Sequence, residues 1–258
     1  MDNKITKQRL SNHLEYDWIL YLLIVLVGIF GTYFLFSQIN RTREYEQVTL
    51  FVTCYSESEH DFVGRTFADM NKSEYKTTGQ QLYGANILRT ISVETWDPVG
   101  NNEYVTLLQT RGIVMSDLLI VGKSFMNSCA PSFVPLTDEL LEDYLLPVDR
   151  VTGEKLTIND FEYYTIELPN GESRRYGLKI SGFNKMHGAG SVFETDWRNI
   201  SAYAERYGDV DEEYRPDDEF YLCLNNQSQN IGRFGKKAKS RNAQALYVFN
   251  RFLTYYRI

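Results

Sequence analysis

Three histidines, three cysteines and one acidic cluster are the residues of this sequence whose side chains could do more than pack. His13 precedes a long apolar run, and His60 and His187 are far apart. None of the spacings HExxH, GxSxG, GxxxxGK[ST] or CxxC occurs, so no nucleophile, base or metal-ligand set is placed by local sequence. His187 sits in MHGAGS, a glycine-rich stretch that reads as a loop. Asp138, Glu139, Glu142 and Asp143 could be taken for a metal cluster. Carboxylates in a first helical turn interact favourably with the helix dipole without any ligand, and a solvated helix face accounts for them. Cys54, Cys129 and Cys223 are odd in number and widely spaced, which leaves two readings: buried free thiols, or one Cys129–Cys223 disulfide in an oxidising compartment. Four N-x-S/T triplets begin at Asn40, Asn71, Asn199 and Asn226 and matter only in a host that glycosylates. We expect no enzyme, no catalytic residue, no metal and no cofactor.

The elements that would position any site begin with an apolar segment. Trp18 to Asn40 carries no charge, and its first 19 residues read WILYLLIVLVGIFGTYFLF. As a helix these 19 residues span ~28 Å, close to the ~30 Å hydrocarbon layer of a bilayer. Aromatic residues mark both ends: Trp18 and Tyr21, then Tyr33, Phe34 and Phe36. The run is longer than the ~7–15 residues of a signal-peptide core, and no small-x-small cleavage site follows in SQINRTREYE. A retained single pass is the expectation. Lys4, Lys7 and Arg9 precede it against Arg41 and Arg43 after it, which places the N-terminus in the cytoplasm and the remainder outside.

The overall balance, 43% hydrophobic, 24% charged and net charge -7, is that of an ordinary folded protein. The first 17 residues carry three basic and three acidic side chains, so the negative charge belongs to the part after the helix, with 24 basic and 31 acidic residues. An acidic outer domain argues against nucleic acid or anionic lipid as its partner. RTREYEQ (41–47) is short, so the domain begins close behind the anchor. VTLFVTCY (48–55), ANILRTISVETW (85–96) and VMSDLLIVG (114–122) read as strands, the first and third apolar on both faces. Helices are expected over 60–71 and over 102–112, the latter stopped by Gly112. That alternation predicts right-handed crossovers and a mainly parallel sheet. Further on, Thr137 caps a helix over 136–145, PNG closes a hairpin between TIEL and RRYGLKI, 181–192 reads as a loop and 197–208 as a helix. FYLCLN (220–225) is a strand and 240–256 an amphipathic helix with Ala243, Leu246, Phe249, Phe252 and Leu253 on one face.

Open α/β sheets bind ligands outside the carboxyl ends of their strands. Tyr55, Trp96 and Lys123 fall at that edge and are the candidate ligand-binding residues, with ring faces suited to a carbohydrate. The alternative is that Tyr55 and Trp96 simply cover the sheet end.

This order of segments resembles lobe I of the family 1 extracellular solute-binding proteins of bacterial ABC transporters, the type 2 periplasmic-binding-like fold. VTLFVTCY, ILRTISVETW and LLQTRGIVMSDLLIVG hold the places of its first strands, with Asp117 at the acidic position that opens the third. FVPLTDELLEDY is similar to the segment that follows, YGLKI to the crossing strand, and FYLCLNNQSQNIG with NAQALYVFNRFL to the return strand and helix. Between crossing and return the family has a whole second lobe, whereas residues 181–219 are fewer than the ~50 an α/β domain needs. No lipobox cysteine follows the anchor. The resemblance implies one lobe of such a protein, tethered to the membrane.

The expectation is therefore an α/β protein with a cytoplasmic tail (1–17), a single transmembrane helix (18–40) and a mainly parallel extracytoplasmic domain (41–258), held at the cell membrane. Its expected role is a non-enzymatic accessory or interaction component of an ABC-type transport system, with permease subunits as partners and no nucleic acid. The alternative is a membrane-tethered receptor that delivers a sugar-like solute to a permease.

Overall fold

The computed structural model describes residues 11, 17–43, 46–53, 88–95, 106, 108–148, 152–181, 219–236 and 242–256. The expected helices over 60–71 and 197–208, Cys54, Tyr55, Trp96, the three histidines and most of the 181–192 loop lie outside them. The chain divides into two compact units, Met1–Arg43 and Glu44–Ile258.

In the first unit, α1 (Trp18–Asn40) is a 23-residue helix, and its Trp18–Ile39 stretch has mean hydropathy 2.5 with none of its most apolar window buried. It is long and apolar enough to cross a membrane. Its threonine and serine hydroxyls are satisfied within the helix: Thr32 Oγ1 donates to Gly28 O at 2.7 Å and Ser37 Oγ to Phe34 O at 2.9 Å. Such back-bonding lets a polar side chain sit in an apolar solvent without an orphaned donor.

The second unit is built on a sheet that has six strands among the described residues. Its strands are β1 (Gln47–Val52), β2 (Thr90–Thr95), β3 (Leu118–Gly122), β4 (Tyr163–Glu167), β5 (Ser173–Lys179) and β6 (Phe220–Leu224). They lie in the order β2-β1-β3-β6-β5-β4. β1 pairs parallel with β2 and β3, while β3 with β6, β6 with β5 and β5 with β4 are all antiparallel. The sheet is mixed, and the expectation of a mainly parallel sheet is corrected. The apolar pattern could not distinguish the two, because a strand buried on both faces carries the same continuous hydrophobic run in either direction.

Alternation along each strand divides the core in two. Val48, Leu50 and Val52 of β1, Leu118 and Ile120 of β3 and Leu222 and Leu224 of β6 point to one face. There they meet Leu140, Leu141 and Leu145 and the apolar side of α5 (Gln244–Tyr256). Phe51, Leu119, Val121, Tyr221 and Cys223 point to the other, against Leu108 and against Met126 and Cys129 of α3 (Lys123–Cys129). Ala243, Leu246, Phe249, Phe252 and Leu253 are all buried, as their spacing required. Each fully buried large side chain contributes ~1.5–3 kcal/mol, so α5 is a principal fixture of the first face.

The connection into β3 differs from the sequence expectation. A wide helical turn, Leu108–Gly112, continues into α2 (Ile113–Met115) instead of stopping at Gly112. A β-carbon at Gly112 would sit 3.1 Å from both Phe51 Cδ1 and Leu108 Cδ1 and 3.3 Å from Leu119 Cδ2. The glycine is there so that the helix can lie close on the sheet, and Val114 and Met115, read as strand, belong to the helix end. Thr137 caps α4 (Asp138–Leu140), accepting from Leu140 N at 3.3 Å, and a wide turn, Leu141–Leu145, completes that segment. The PNG turn closes the β4–β5 hairpin, with Gly171 at φ 79° and its N–H donating to Leu168 O at 2.9 Å. Cys129 and Cys223 are buried free thiols, and burial pushes both above the ordinary thiol range.

Candidate functional site

Both ends of the sheet gather polar side chains. At the carboxyl end of β1, Thr53 is fully buried and ties β1 to β3, donating to Ile120 O from N at 3.1 Å and from Oγ1 at 2.7 Å. Lys123 follows β3 directly as the first residue of α3. Because β6 runs antiparallel to β3 with Phe220 opposite Gly122, Glu219 arrives beside it. Lys123 N donates to Glu219 O at 2.9 Å, and Lys123 Nζ lies 2.6 Å from Glu219 Oε2.

The chain of charge continues along the edge. Lys179, the last residue of β5, places Nζ 3.2 Å from Glu219 Oε1 and 2.7 Å from Glu162 Oε2, and Tyr221 donates its hydroxyl to Glu219 Oε2 at 3.2 Å. Two lysines and two glutamates form a neutral row. The hydrogen bond from Lys123, followed by that from Lys179, pushes the Glu219 carboxyl down to about 2. Partial burial, with the Glu219 charge beside it, pushes the Tyr221 phenol up to about 12.

Of the three expected ligand residues, Lys123 stands at the expected edge with its ammonium group engaged by Glu219, while Tyr55 and Trp96 lie outside the described residues. Glu219, Lys179 and Glu162 belong to no motif in the sequence. Only the antiparallel placement of β6 between β3 and β5 brings them together. A pH dependence follows. A carboxyl whose folded pKa is depressed stabilises the fold above its unfolded value of 4.5 and loses that contribution as pH falls through about 2. We expect the unfolding midpoint to drop across this window, and Glu219→Gln to flatten the drop, as read by thermal denaturation between pH 5 and 2.

The amino end of the same strands holds a second constellation. Asp117, immediately before β3, is 8% exposed. Its Oδ2 accepts from Thr49 N at 2.8 Å, and its Oδ1 accepts from Ser228 Oγ and from Asn230 Nδ2, the latter at 3.1 Å. Its backbone joins the same elements, with Asp117 N donating to Thr49 O at 2.9 Å and Asn225 N to Asp117 O at 3.0 Å. The 225–230 loop supplies the rest. Asn225 Nδ2 donates to Ile113 O and Ser116 O at 2.7 and 2.6 Å, Asn230 Nδ2 to Gln47 O at 2.8 Å, and Asn242 Nδ2 to Asn230 Oδ1 at 2.9 Å. Burial raises the Asp117 carboxyl above its ordinary value, against the three hydrogen bonds that lower it. Beside this network opens a cavity of about 340 Å³, lined by Gln47, Thr49, residues 114–117 and residues 227–230.

Among the described residues no group of three or more His, Cys, Asp and Glu side chains is placed to hold a metal ion. Comparison of the chain with family models, with curated proteins and with solved structures found no match to any of them.

Proposed function

We propose that this is a single-pass membrane protein whose extracytoplasmic α/β domain works by docking a protein partner, as an accessory or interaction component of an ABC-type transport system at the cell membrane. The carrying observation is the neutral row Lys123–Glu219–Lys179–Glu162. It occupies the described part of the carboxyl edge, where open α/β sheets receive small ligands, with the domain's own paired charges. A lysine whose ammonium is held 2.6 Å from a carboxylate must break that pair before it can serve a solute.

The reading draws further support from the two other parts. α1 carries no charged residue, and the excess of Lys4, Lys7 and Arg9 before it over Arg41 and Arg43 after it favours a cytoplasmic N-terminus. β5 and β6 lie side by side and antiparallel, as a strand leaving the lobe and a strand returning to it must in the one-lobed arrangement that the sequence resembles.

The test against a solute receptor is a thermal-shift screen of the full chain in detergent with sugars. A ligand at 100 times its Kd adds ~2.7 kcal/mol to stability, a shift that is easily resolved. The docking reading predicts a flat screen. A sugar that raises the midpoint, with the rise lost in Lys123→Ala, would overturn it in favour of the receptor.

A further inference from the structure

The tip of the β4–β5 hairpin is formed by Asn170 and Gly171, the one Asn-Gly pair of the chain. Residues 169–174 are all exposed, and β4 is the outermost strand of the sheet among the described residues. The Asn170 side chain folds back on its own turn: Oδ1 accepts from Glu172 N at 3.0 Å, and Nδ2 donates to Glu172 Oε2 at 3.4 Å. Two main-chain bonds close the turn, Gly171 N to Leu168 O at 2.9 Å and Leu168 N to Glu172 O at 2.8 Å.

This pair sets an electrophile, the Asn170 carboxamide carbon, next to a nucleophile, the Gly171 nitrogen, at the spacing of a five-membered ring. Glycine brings no β-carbon to obstruct that nitrogen, and with Gly171 at φ 79° nothing lies within 4 Å of where a β-carbon would stand. The Glu172 N–H already points at Oδ1, the oxygen that gathers negative charge when the carbon is attacked. We propose that Asn170 is a site of spontaneous covalent modification, converting to aspartate and isoaspartate in the folded chain. Once the bond to Leu168 O opens, Gly171 N gives up its proton and bonds to Asn170 Cγ, and Nδ2 leaves as ammonia, which closes a succinimide. Water adding at Cγ breaks the new bond and leaves aspartate. Water adding at the main-chain carbonyl carbon breaks the old peptide bond instead and leaves isoaspartate, with one more carbon in the main chain. One water is consumed and one ammonia released, with no oxidant or reductant. The aspartate product replaces the amide that met Glu172 with a carboxylate, while Arg174 holds the Glu172 charge at 2.8 and 3.1 Å, so a hydrogen bond becomes a repulsion.

The test incubates the full chain in mild detergent at mildly alkaline pH, cleaves it after Lys155 and Arg174, and follows the peptide 156–174 by mass spectrometry with fragmentation that separates the isomers. The expected result is the mass gain of an amide-to-acid exchange at position 170, with isoaspartate the more abundant product. Asn159, exposed in the same peptide, is the internal reference and converts roughly tenfold more slowly, because Asp160 carries a β-carbon beside the attacking nitrogen. Gly171→Ala slows the conversion at position 170 by a similar factor. Conversion of Asn170 in the urea-unfolded chain but not in the folded one would overturn the proposal, because the closed turn would then protect the residue. Equal rates at positions 170 and 159 would overturn it as well.

Discussion

Asp117→Ala is expected to lower the unfolding free energy of the α/β unit by about 3 kcal/mol, to be read as a shift of the urea midpoint at unchanged slope. Three donors converge on this carboxylate: the Thr49 backbone N–H, the Ser228 hydroxyl and the Asn230 amide. Alanine leaves all three facing a void. An orphaned buried donor costs ~1–3 kcal/mol, and the relief of removing a buried charge offsets part of the sum. The damage is not local, because the same donors belong to the start of β1, to the 225–230 loop and, through the Asn242–Asn230 bond, to the approach to α5. Asp117→Asn keeps one acceptor oxygen and costs less. It also removes a pH component opposite in sign to that of Glu219. With its folded pKa raised above 3.8, ionisation of Asp117 weighs against the native state, and that weight grows as pH rises from 3.8 through the folded value.

Gly235→Ala is expected to carry a loss of similar size, also about 3 kcal/mol read from the urea midpoint, from a different cause. Gly235 sits at φ 82°, in the left-handed region where an L-residue costs ~1–2 kcal/mol. A β-carbon there would also collide with Ile231 Cδ1 and stand 2.8 Å from the backbone oxygen of Asn226. That oxygen cannot yield easily, since it accepts the N–H of Lys236 at 2.8 Å and closes the loop. Overpacking of this kind adds ~1–3 kcal/mol. Gly171, at φ 79° with nothing within 4 Å of its would-be β-carbon, provides the comparison. Gly171→Ala should cost only the backbone term, and equal losses at the two sites would refute the steric account.

The features that sequence made legible are those governed by local rules. An uncharged run of bilayer length, an N-cap threonine, a PNG turn and a helical spacing of Ala243, Leu246, Phe249, Phe252 and Leu253 each specify their own element, and each element is present. The features that escaped depend on which strand lies beside which. FYLCL is equally apolar whether it runs with β3 or against it, so the antiparallel insertion of β6 left no mark on the pattern. The Lys123–Glu219 pair escaped with it, being a product of that insertion. Gly112 misled because glycine serves two ends, terminating helices and permitting close approach, and only Phe51 and Leu119 beneath it show which applies. Asp117 is marked in the sequence by its place before the third strand, but spacing does not assign its partners in the NNQSQN loop, since Ser228 lies 111 positions away.

In the proposed reading, an anchored domain acts by holding another membrane protein. Purification of the full chain from its own membranes in mild detergent tests it most directly. The expected result is a stoichiometric complex with a transport-type membrane protein. Recovery of the chain as a lone monomer under several detergent and salt conditions would contradict it.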